Sequence, residues 1–347
     1  MSDTVNYVLK KEDLTDFLSS FSDYKVVLPV KKDGAVKFRT YDGEGPDLEV
    51  GPTQKSCKEV FFPQTEKMFD FKRERNRFVG TEEVNFEPEK TLLFGVRPCD
   101  ARAMTQLDKV FGEDYRDNYY MDRREKTTII SVGCEESAKN CFCTSVGGGP
   151  HTEEGSDMLW TDIGDSYHVE ILTEKGEEIV KNTEDFLDKA SKEDEKKSEK
   201  VKEDAVDKIN RSLDTDGLQD ALEDVFENDY WEQVADRCIG CGICTLLCPT
   251  CYCFDINDII VGDKGWRERN WDSCQFDYYS IHASGYNPRP EKKHRLRNRL
   301  YHKYLYMPKN IDVIGCVGCG RCITNCPTDI DIIEVLEQVE EVSSDGK

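Results

Sequence analysis

Two runs of four cysteines are the part of this sequence whose spacing most directly indicates chemistry. The first extends from Cys238 to Cys248 with the pattern C-x2-C-x2-C-x3-C-P, and the second repeats that pattern from Cys316 to Cys326. Three thiolates two residues apart wrap one face of an iron–sulfur cube, while the fourth, turned away by the following proline, reaches the neighbouring cluster. The spacing therefore predicts two [4Fe–4S] clusters that relay single electrons.

The exchange of the fourth ligand gives each predicted cluster ligands from both runs. The first cluster is predicted to use Cys238, Cys241, Cys244 and Cys326. The second is predicted to use Cys248, Cys316, Cys319 and Cys322. The two runs must therefore lie close together in the fold. Zinc is the alternative for C-x2-C pairs, but zinc ribbons use two pairs, whereas this chain has two four-cysteine runs that each end on proline.

Further cysteines follow predicted strands in the first half of the chain. The apolar runs Thr91–Val96 and Thr127–Val132 are typical of buried strands, and each leads into a cysteine. Parallel pairing would bring these strand ends side by side, with two more cysteines on the loop that follows. A third iron–sulfur cluster is therefore predicted on Cys99, Cys134, Cys141 and Cys143. A zinc site and a set of buried structural thiols are the alternatives.

The remaining cysteines do not complete a site by themselves. Cys251 and Cys253 directly follow the first run, Cys274 lies in the segment WDSCQFD, and Cys57 stands alone. The first three either surround a cluster and tune its potential or hold a cluster with an unusual fourth ligand. Cys57 is interpreted as an ordinary thiol.

No catalytic or nucleotide-binding constellation accompanies these cysteines. The sequence contains neither a Ser-His-Asp arrangement nor H-E-x-x-H, and the five histidines are scattered. The segment Gly147–Pro150 lacks the flanking residues of a phosphate loop and is interpreted as a turn. No catalytic residue is assigned, and flavin or nicotinamide is expected to bind to another protein.

Composition narrows the class of protein further. Among 347 residues, 47 are Lys or Arg and 70 are Asp or Glu, which gives a net charge of −23. This balance argues against binding to nucleic acid or to an anionic membrane. No export signal or long apolar stretch is visible, so the 16 cysteines are interpreted as metal ligands in a reducing compartment rather than as disulfides. A soluble cytoplasmic protein is expected.

The pattern along the chain indicates an α+β protein with three parts. Residues 1–182 are predicted to form an α/β domain, in which further strands cover Tyr24–Pro29 and Ala35–Tyr41 and a helix capped by Asp100 covers Ala101–Phe111. Residues 183–213 are predicted to be a charged helical linker, because acidic residues and lysine crowd together there. Residues 214–347 are predicted to form a helical, ferredoxin-like domain with two [4Fe–4S] clusters.

Two segments of the last part carry their own predictions. The long insertion between the runs, residues 249–315, is expected to be helical, with a cap that shields the clusters or docks on a partner. Within it, the basic stretch 289–303 is interpreted either as an exposed amphipathic helix or as a surface that pairs with acidic helices or a partner subunit.

Longer motifs around the cysteines resemble a known family. They are GVRPCD at 95–100, CFCT at 141–144, CPTCYCF at 248–254, ASGYNPR at 283–289 and GCVGCGR at 315–321. Over about residues 85–335 the chain resembles the iron–sulfur protein shared by cytoplasmic nickel–iron sulfhydrogenases, where it is the beta subunit, and by anaerobic sulfite reductases. The resemblance implies two partners, which are a flavoprotein subunit that uses NAD(P) and a catalytic subunit of the hydrogenase or siroheme type. The acidic charge and the linker do not fit the family pattern.

The expected function is therefore an iron–sulfur electron-transfer subunit of a multi-subunit oxidoreductase. The alternative is a self-sufficient iron–sulfur reductase of a sulfur compound or disulfide, for which Cys251, Cys253 and Cys274 are the motivation. A metal-stabilised scaffold without a redox role is the third hypothesis, and the two intact cysteine runs weigh against it.

Overall fold

A computed structural model describes residues 5–48, 51–74, 77–83 and 86–345 of the protein. Its strands, in chain order, are β1 Tyr7–Lys10, β2 Lys25–Lys32, β3 Ala35–Thr40, β4 Thr65–Glu74, β5 Arg77–Glu83, β6 Thr91–Val96, β7 Thr127–Val132, β8 Met158–Asp162, β9 Ser166–Ile171, β10 Asp188–Lys189, β11 Phe254–Val261 and β12 Lys264–Trp271. Its α-helices are α1 Leu14–Ser19, α2 Lys58–Phe61, α3 Pro98–Gly112, α4 Asn118–Lys126, α5 Glu174–Asn182, α6 Lys192–Asp207, α7 Leu218–Asp224, α8 Tyr230–Asp236, α9 Ile243–Leu246, α10 Lys292–Tyr301, α11 Met307–Ile311, α12 Arg321–Thr324 and α13 Ile332–Asp345. The protein is a mixed α+β structure, as its sequence predicts.

The larger sheet is built around parallel strands. Its order is β10-β1-β9-β8-β7-β6-β2-β3, and β2, β6, β7 and β8 run parallel to one another. All residues of β6 and β7 are buried, which explains why both read as continuous apolar runs. Both strands occupy the predicted residues. Parallel pairing brings their carboxyl ends, and the cysteines that follow, to one edge of the sheet.

Helix α3 begins earlier than predicted. Pro98 occupies its first turn and Arg97 precedes it as the N-cap residue, so Asp100 lies inside the helix rather than capping it. Proline is favoured at the first helical position because its missing N–H has no partner there anyway. The Asp100 side chain is buried and is held by Arg321 instead. This ion pair links the first half of the chain to the second cysteine run.

The acidic stretch forms a helix that packs on the larger sheet. Ser191 caps α6 through a reciprocal pair of hydrogen bonds with Asp194. The helix lies against β8 and β9, and Lys202 pairs with Glu170 of β9 at 2.7 Å. The three-part division of the chain stays a prediction.

A second sheet, of order β11-β12-β4-β5, combines distant parts of the sequence. The insertion between the cysteine runs was expected to be helical, and this expectation is wrong for residues 254–271. They form an antiparallel hairpin that turns at Gly262, whose φ is +62°. Strand β12 pairs with β4 from the first part of the chain. Helix α10 follows only after this hairpin and a further irregular stretch.

Helices α7, α8, α10 and α13 enclose the core next to the cysteine runs. Trp231, Leu300, Tyr301 and Leu336 are almost fully buried there, and Phe142 from the first part of the chain joins them. Helix α10 continues through one π-helical segment, His302–Tyr306, into α11. No helix among the described residues is long and apolar enough to cross a membrane.

Candidate metal centres

The four cysteines predicted to hold the first cluster line one cavity. It is bordered by Cys238, Cys241, Cys244 and Cys326. Gly240 and Gly242 have φ of +69° and +75°, and a Cβ on Gly242 would lie 2.8 Å from the Phe276 ring. Left-handed glycines are needed for the chain to fold back between the thiols. The Gly240 N–H points to the Cys238 Sγ at 3.4 Å, as expected for a backbone donor to a cluster thiolate.

The second run repeats this local structure. Gly318 and Gly320 have φ of +64° and +70°, and the Gly318 N–H lies 3.4 Å from the Cys316 Sγ. Cys248, from the first run, lies close enough to Cys319 and Cys322 to raise the pKa of each. The structure thus places Cys248 with the second run, as the predicted exchange of ligands requires.

The cysteines predicted to hold a third cluster also come together. One cavity is lined by Cys99, Cys134, Cys141 and Cys143, with Cys319 of the second run at its border. Cys99 follows β6 and Cys134 follows β7, so the parallel strands place them side by side. The loop that carries Cys141 and Cys143 docks on the second run, where the Phe142 N–H donates to Gly318 at 2.8 Å.

Burial disfavours the ionised form of most of these thiols. It raises the pKa of Cys141 to about 11, of Cys143 to about 12 and of Cys244 to about 11. Burial likewise raises the pKa of Cys99 and Cys134. Buried thiols become thiolates when a metal centre supplies the compensating positive charge. These buried thiols therefore have the donor chemistry of metal ligands.

Four cysteine thiolates are the ligand set of a [4Fe–4S] cluster, in which each thiolate binds a different iron. Four cysteines can also hold a structural zinc ion. Among the residues that the structure describes, no three His, Cys, Asp or Glu side chains lie close enough together to bind one metal ion.

Comparison with known proteins agrees with this geometry. The family model described as a 4Fe-4S dicluster domain matches residues 237–330. The chain is also 35% identical over 253 residues to the sulfhydrogenase 2 subunit beta of Pyrococcus furiosus. The matched region covers 73% of this chain and 75% of that protein. It belongs to the sulfhydrogenase beta-subunit family. Like other members, it is an iron–sulfur protein of the 4Fe-4S type.

In this family member, buried cations from two elements lie beside the predicted second cluster. Arg321 makes a two-pronged ion pair with Asp100, at 2.6 and 2.7 Å, and both side chains are buried. Lys303 donates to the Cys248 Sγ at 3.2 Å and to the Gly315 carbonyl at 2.6 Å. Burial alone would lower the pKa of Lys303, but the surrounding thiolates, Cys248 first, raise it. These cations offset the negative charge that a thiolate-bound cluster brings.

Sequence reasoning missed the role of the basic stretch. It was interpreted as exposed or as pairing with acidic partners, but Arg295, Arg299 and Lys303 are buried, and the last two contact cysteines of the first run. The Arg299 guanidinium donates to the Cys244 carbonyl at 3.2 Å. Spacing of four residues between these basic side chains placed them on one helix face, and this periodicity was the available signal.

Lys58 was also missed, and nothing in its sequence neighbourhood marks it. It is fully buried on α2, lies 4.1 Å from the centre of the Trp271 ring, and donates to the carbonyls of Cys248 and Cys251 at 3.0 and 2.7 Å. It ties the end of the first run to the first part of the chain.

The remaining cysteines separate into two environments. Cys251, Cys253 and Cys274 line one further cavity, together with Arg299 and Lys303. Cys57 is buried in the core between the larger sheet and α3, with Phe61, Leu93 and Met104. Cys57 therefore behaves as the ordinary buried thiol expected from its isolation in the sequence.

Proposed function

We propose that this chain is the electron-transfer subunit of a sulfhydrogenase-like complex and carries three iron–sulfur clusters. The observation that supports this most directly is that the first and third predicted ligand sets each line one cavity, while Cys248 lies close to Cys319 and Cys322 of the second set. The proposed ligand sets are Cys238, Cys241, Cys244 and Cys326 for the first cluster, Cys248, Cys316, Cys319 and Cys322 for the second, and Cys99, Cys134, Cys141 and Cys143 for the third. An iron–sulfur cluster accepts and releases one electron when bound.

The three centres form a series with the second in the middle. Cys322, a ligand of the second centre, also borders the first cavity, and Cys319 borders the third. The Cys141 Sγ lies 3.8 Å from the Cys319 carbonyl oxygen. Electrons that enter at one end therefore have a continuous route through this chain to the other.

The exposed end of this series is the first centre. Cys241 is exposed, whereas Cys319, at the corresponding position of the second run, is half-buried. We propose that one partner subunit docks over Cys241. By family resemblance, the relay joins a flavoprotein subunit that binds NAD(P) to a catalytic subunit, either a nickel–iron hydrogenase with sulfur reductase activity or a sulfite reductase. The named relative supports the hydrogenase partner.

Metal analysis after anaerobic purification tests the number of centres. Three [4Fe–4S] clusters correspond to about 12 irons and as many acid-labile sulfides per chain. About eight irons with one zinc would remove the third cluster from the proposal. A redox-silent chain would contradict electron transfer altogether.

An anaerobic pull-down of the tagged chain from its host tests the partners. Recovery of a nickel–iron hydrogenase pair with a flavoprotein is the expected result. Recovery of a siroheme protein would assign the chain to sulfite reduction instead. A chain recovered alone would favour the second candidate, a self-sufficient reductase, for which the cavity lined by three further cysteines is the specific observation.

A further inference from the structure

Lys303 lies between the two cysteine runs, where its side chain is almost completely buried. It belongs to the π-helical segment His302–Tyr306 that joins α10 to α11. Turns of π-helix are rare and occur frequently at functional sites. A charged side chain is seldom buried unless a partner compensates its charge. Lys303 therefore combines an unusual backbone with a buried charge.

A reciprocal pair of hydrogen bonds fixes Lys303 against the start of the second run. Its ammonium donates to the Gly315 carbonyl at 2.6 Å, and the Gly315 N–H donates to the Lys303 carbonyl at 2.7 Å. A Cβ on Gly315 would lie 3.1 Å from the Lys303 Cα and would overlap the Met307 side chain. Glycine at residue 315 therefore permits this close approach. Cys316, the first cysteine of the second run, follows directly.

The Lys303 ammonium also reaches the cysteine that is proposed to cross from the first run to the second centre. It donates to the Cys248 Sγ at 3.2 Å and to the Thr250 Oγ1 at 2.9 Å. None of its acceptors among the described residues is a carboxylate. Burial opposes its charge, but the neighbouring thiolates, Cys248 first, raise its pKa above the ordinary value. Cysteine sulfur, rather than a fixed ion pair, therefore balances this charge.

The corresponding cysteine of the second run has no such neighbour. Cys326, like Cys248, is the fourth cysteine of its run and is followed by Pro-Thr. Its Sγ accepts from the Ile330 N–H at 3.3 Å and lies 3.6 Å from the Thr328 Oγ1. No lysine or arginine side chain among the described residues donates to this sulfur. The exchange of fourth ligands thus gives the second centre a buried ammonium and the first centre neutral donors.

The buried guanidinium on the same helix does not create this difference. Arg299 donates to the Cys244 carbonyl at 3.2 Å and hydrogen-bonds to the Cys322 side chain. Cys244 is a proposed ligand of the first centre and Cys322 of the second. Arg299 therefore acts on both centres.

The other two buried cations near the second centre act less directly on its sulfurs. Arg321 is neutralised by Asp100, which lies 2.6 Å from its guanidinium. Lys58 donates to the carbonyl oxygens of Cys248 and Cys251 rather than to a sulfur, and burial lowers its pKa. The unneutralised ammonium on a ligand sulfur is therefore the feature that separates the second centre from the first.

We propose that Lys303 acts through Cys248 to raise the reduction potential of the second centre above that of the first, so that the middle of the series is reduced before its exposed end. The inference rests on the proposed function, because it takes Cys248 as a ligand of the second cluster. Hydrogen bonds to sulfur and the local charge are among the factors that set the potential of a cluster.

The electron balance of this step is simple. One electron leaves the first centre, which is oxidised, and enters the second centre, which is reduced; no bond forms or breaks and no proton moves. The second centre gains one negative charge, and the adjacent ammonium stabilises that charge in a buried site where salt screens little. An electron that enters at Cys241 therefore moves inward in a favourable step and is held where Cys316 is buried.

The experiment is a potentiometric titration of the full chain, purified anaerobically with its iron and followed by low-temperature EPR. Wild type is compared with Lys303→Met, which removes charge and donor, and with Lys303→Gln, which removes the charge but keeps an N–H donor. Lys292→Met is the matched control, because Lys292 is exposed and donates to the Cys238 carbonyl of the first run at 2.9 Å. The signal that Cys316→Ser lacks identifies the second centre.

In wild type we expect the second centre to be reduced at a higher potential than the first. Both Lys303 variants should lower its midpoint, so that the ratio of reduced to oxidised second centre falls at least tenfold at the wild-type midpoint. For a one-electron couple this corresponds to about 59 mV. The midpoint of the first centre should move less, and Lys292→Met should leave that of the second unchanged.

Three results would overturn the inference while the proposed function stands. One is that the second centre of wild type is reduced after the first. Another is an unchanged second midpoint in a Lys303 variant that keeps its iron. The third is loss of about four irons from both Lys303 variants, which would mean that Lys303 holds the cluster in place rather than sets its potential. If wild type itself contains no iron–sulfur cluster, the proposed function fails instead, so iron analysis separates the two failures.

Discussion

The two cysteine runs have the same local fold but differ in burial, because the first lies near the surface and the second is packed against the first part of the chain. Both carry left-handed glycines at corresponding positions, and in both a backbone N–H lies 3.4 Å from the first cysteine's Sγ. The first run lies near the surface, and a Cβ on Gly240 would find only the Gln275 carbonyl, at 3.6 Å. In the second run, a Cβ on Gly318 would lie 2.5 Å from the backbone of Phe142 and Cys143. The motif thus sets the local arrangement of the cysteines. The segments packed against each run determine whether its site lies at the end of the proposed series, as the first does, or between two other sites, as the second does.

Alanine substitution at the corresponding glycines, Gly240 and Gly318, should produce the largest difference in iron content between the two runs. Both substitutions place a side chain at positive φ, which costs about 1–2 kcal/mol. Gly318→Ala must also displace the loop that carries Cys141 and Cys143, so we expect it to lose about eight irons, those of the second and third centres, or to yield no soluble protein. Gly240→Ala should keep about 12 irons per chain. Iron content is measured after anaerobic purification. Equal iron contents in the two variants would contradict the proposal that the second site is packed against the third.

The sixth position of each run differs in the same sense, because Ile243 in the first corresponds to Arg321 in the second. Arg321→Met leaves the Asp100 carboxylate buried without its partner, which should lower the free energy of unfolding by about 3–5 kcal/mol. Ile243→Met keeps an apolar side chain of similar volume, and its cost should stay below about 1.5 kcal/mol. Denaturant unfolding under anaerobic conditions measures both.

A double variant separates loss of the ion pair from general damage at this position. Asp100→Leu combined with Arg321→Met removes both charges, so stability should recover well above that of Arg321→Met alone. A double variant as unstable as the single one would indicate that the guanidinium acts through its hydrogen bond to the Thr53 carbonyl, which it makes at 2.7 Å.

Serine substitution of the second cysteine of each run, Cys241 or Cys319, compares the two sites by the iron content that each variant loses. Cys241→Ser removes a ligand at the exposed end, so we expect loss of about four irons and a weakened second cluster. Cys319 lines the cavity of the third group, and Cys319→Ser should therefore disturb the third centre as well as the second. Low-temperature EPR of the reduced proteins distinguishes which signals remain. Unchanged iron content in Cys241→Ser would contradict the ligand assignment.

The sequence predicted those features that depend on local spacing. The apolar runs of β6 and β7 predicted buried neighbouring strands, each leading into a cysteine. The ligand sets stay predictions. It did not predict features that depend on long-range pairing. Residues 254–271 were expected to be helical, yet β12 pairs with β4 from a distant part of the chain, and no local pattern encodes that partner. Likewise, Lys58 and Asp100 gain their roles only when the two parts of the chain meet.

Beyond their prolines, the two runs diverge in chemistry. Both continue with Pro-Thr, but the first then places Cys251 and Cys253 where the second has Asp329 and Asp331. Asp331 forms an ion pair with Arg211 at 2.5 Å. The positions after the second run therefore serve the fold, whereas those after the first run present thiols to a cavity.

The rate of Cys253 alkylation as a function of pH tests this difference at a single side chain, and its expected effect is the smallest of those predicted. Its pKa is lowered to about 6 by the Cys274 thiol first, and by the Cys274 N–H, the Tyr279 hydroxyl and the Lys58 ammonium, against the opposing effect of burial. Because the thiolate forms as pH rises through the pKa, the rate with iodoacetamide should climb between about pH 5 and 7 and then level off. Tyr279→Phe removes one donor and should move the midpoint upward. A midpoint near that of an unperturbed thiol, about 8.5, would mean that the residues after the first run hold Cys253 no differently from an ordinary cysteine.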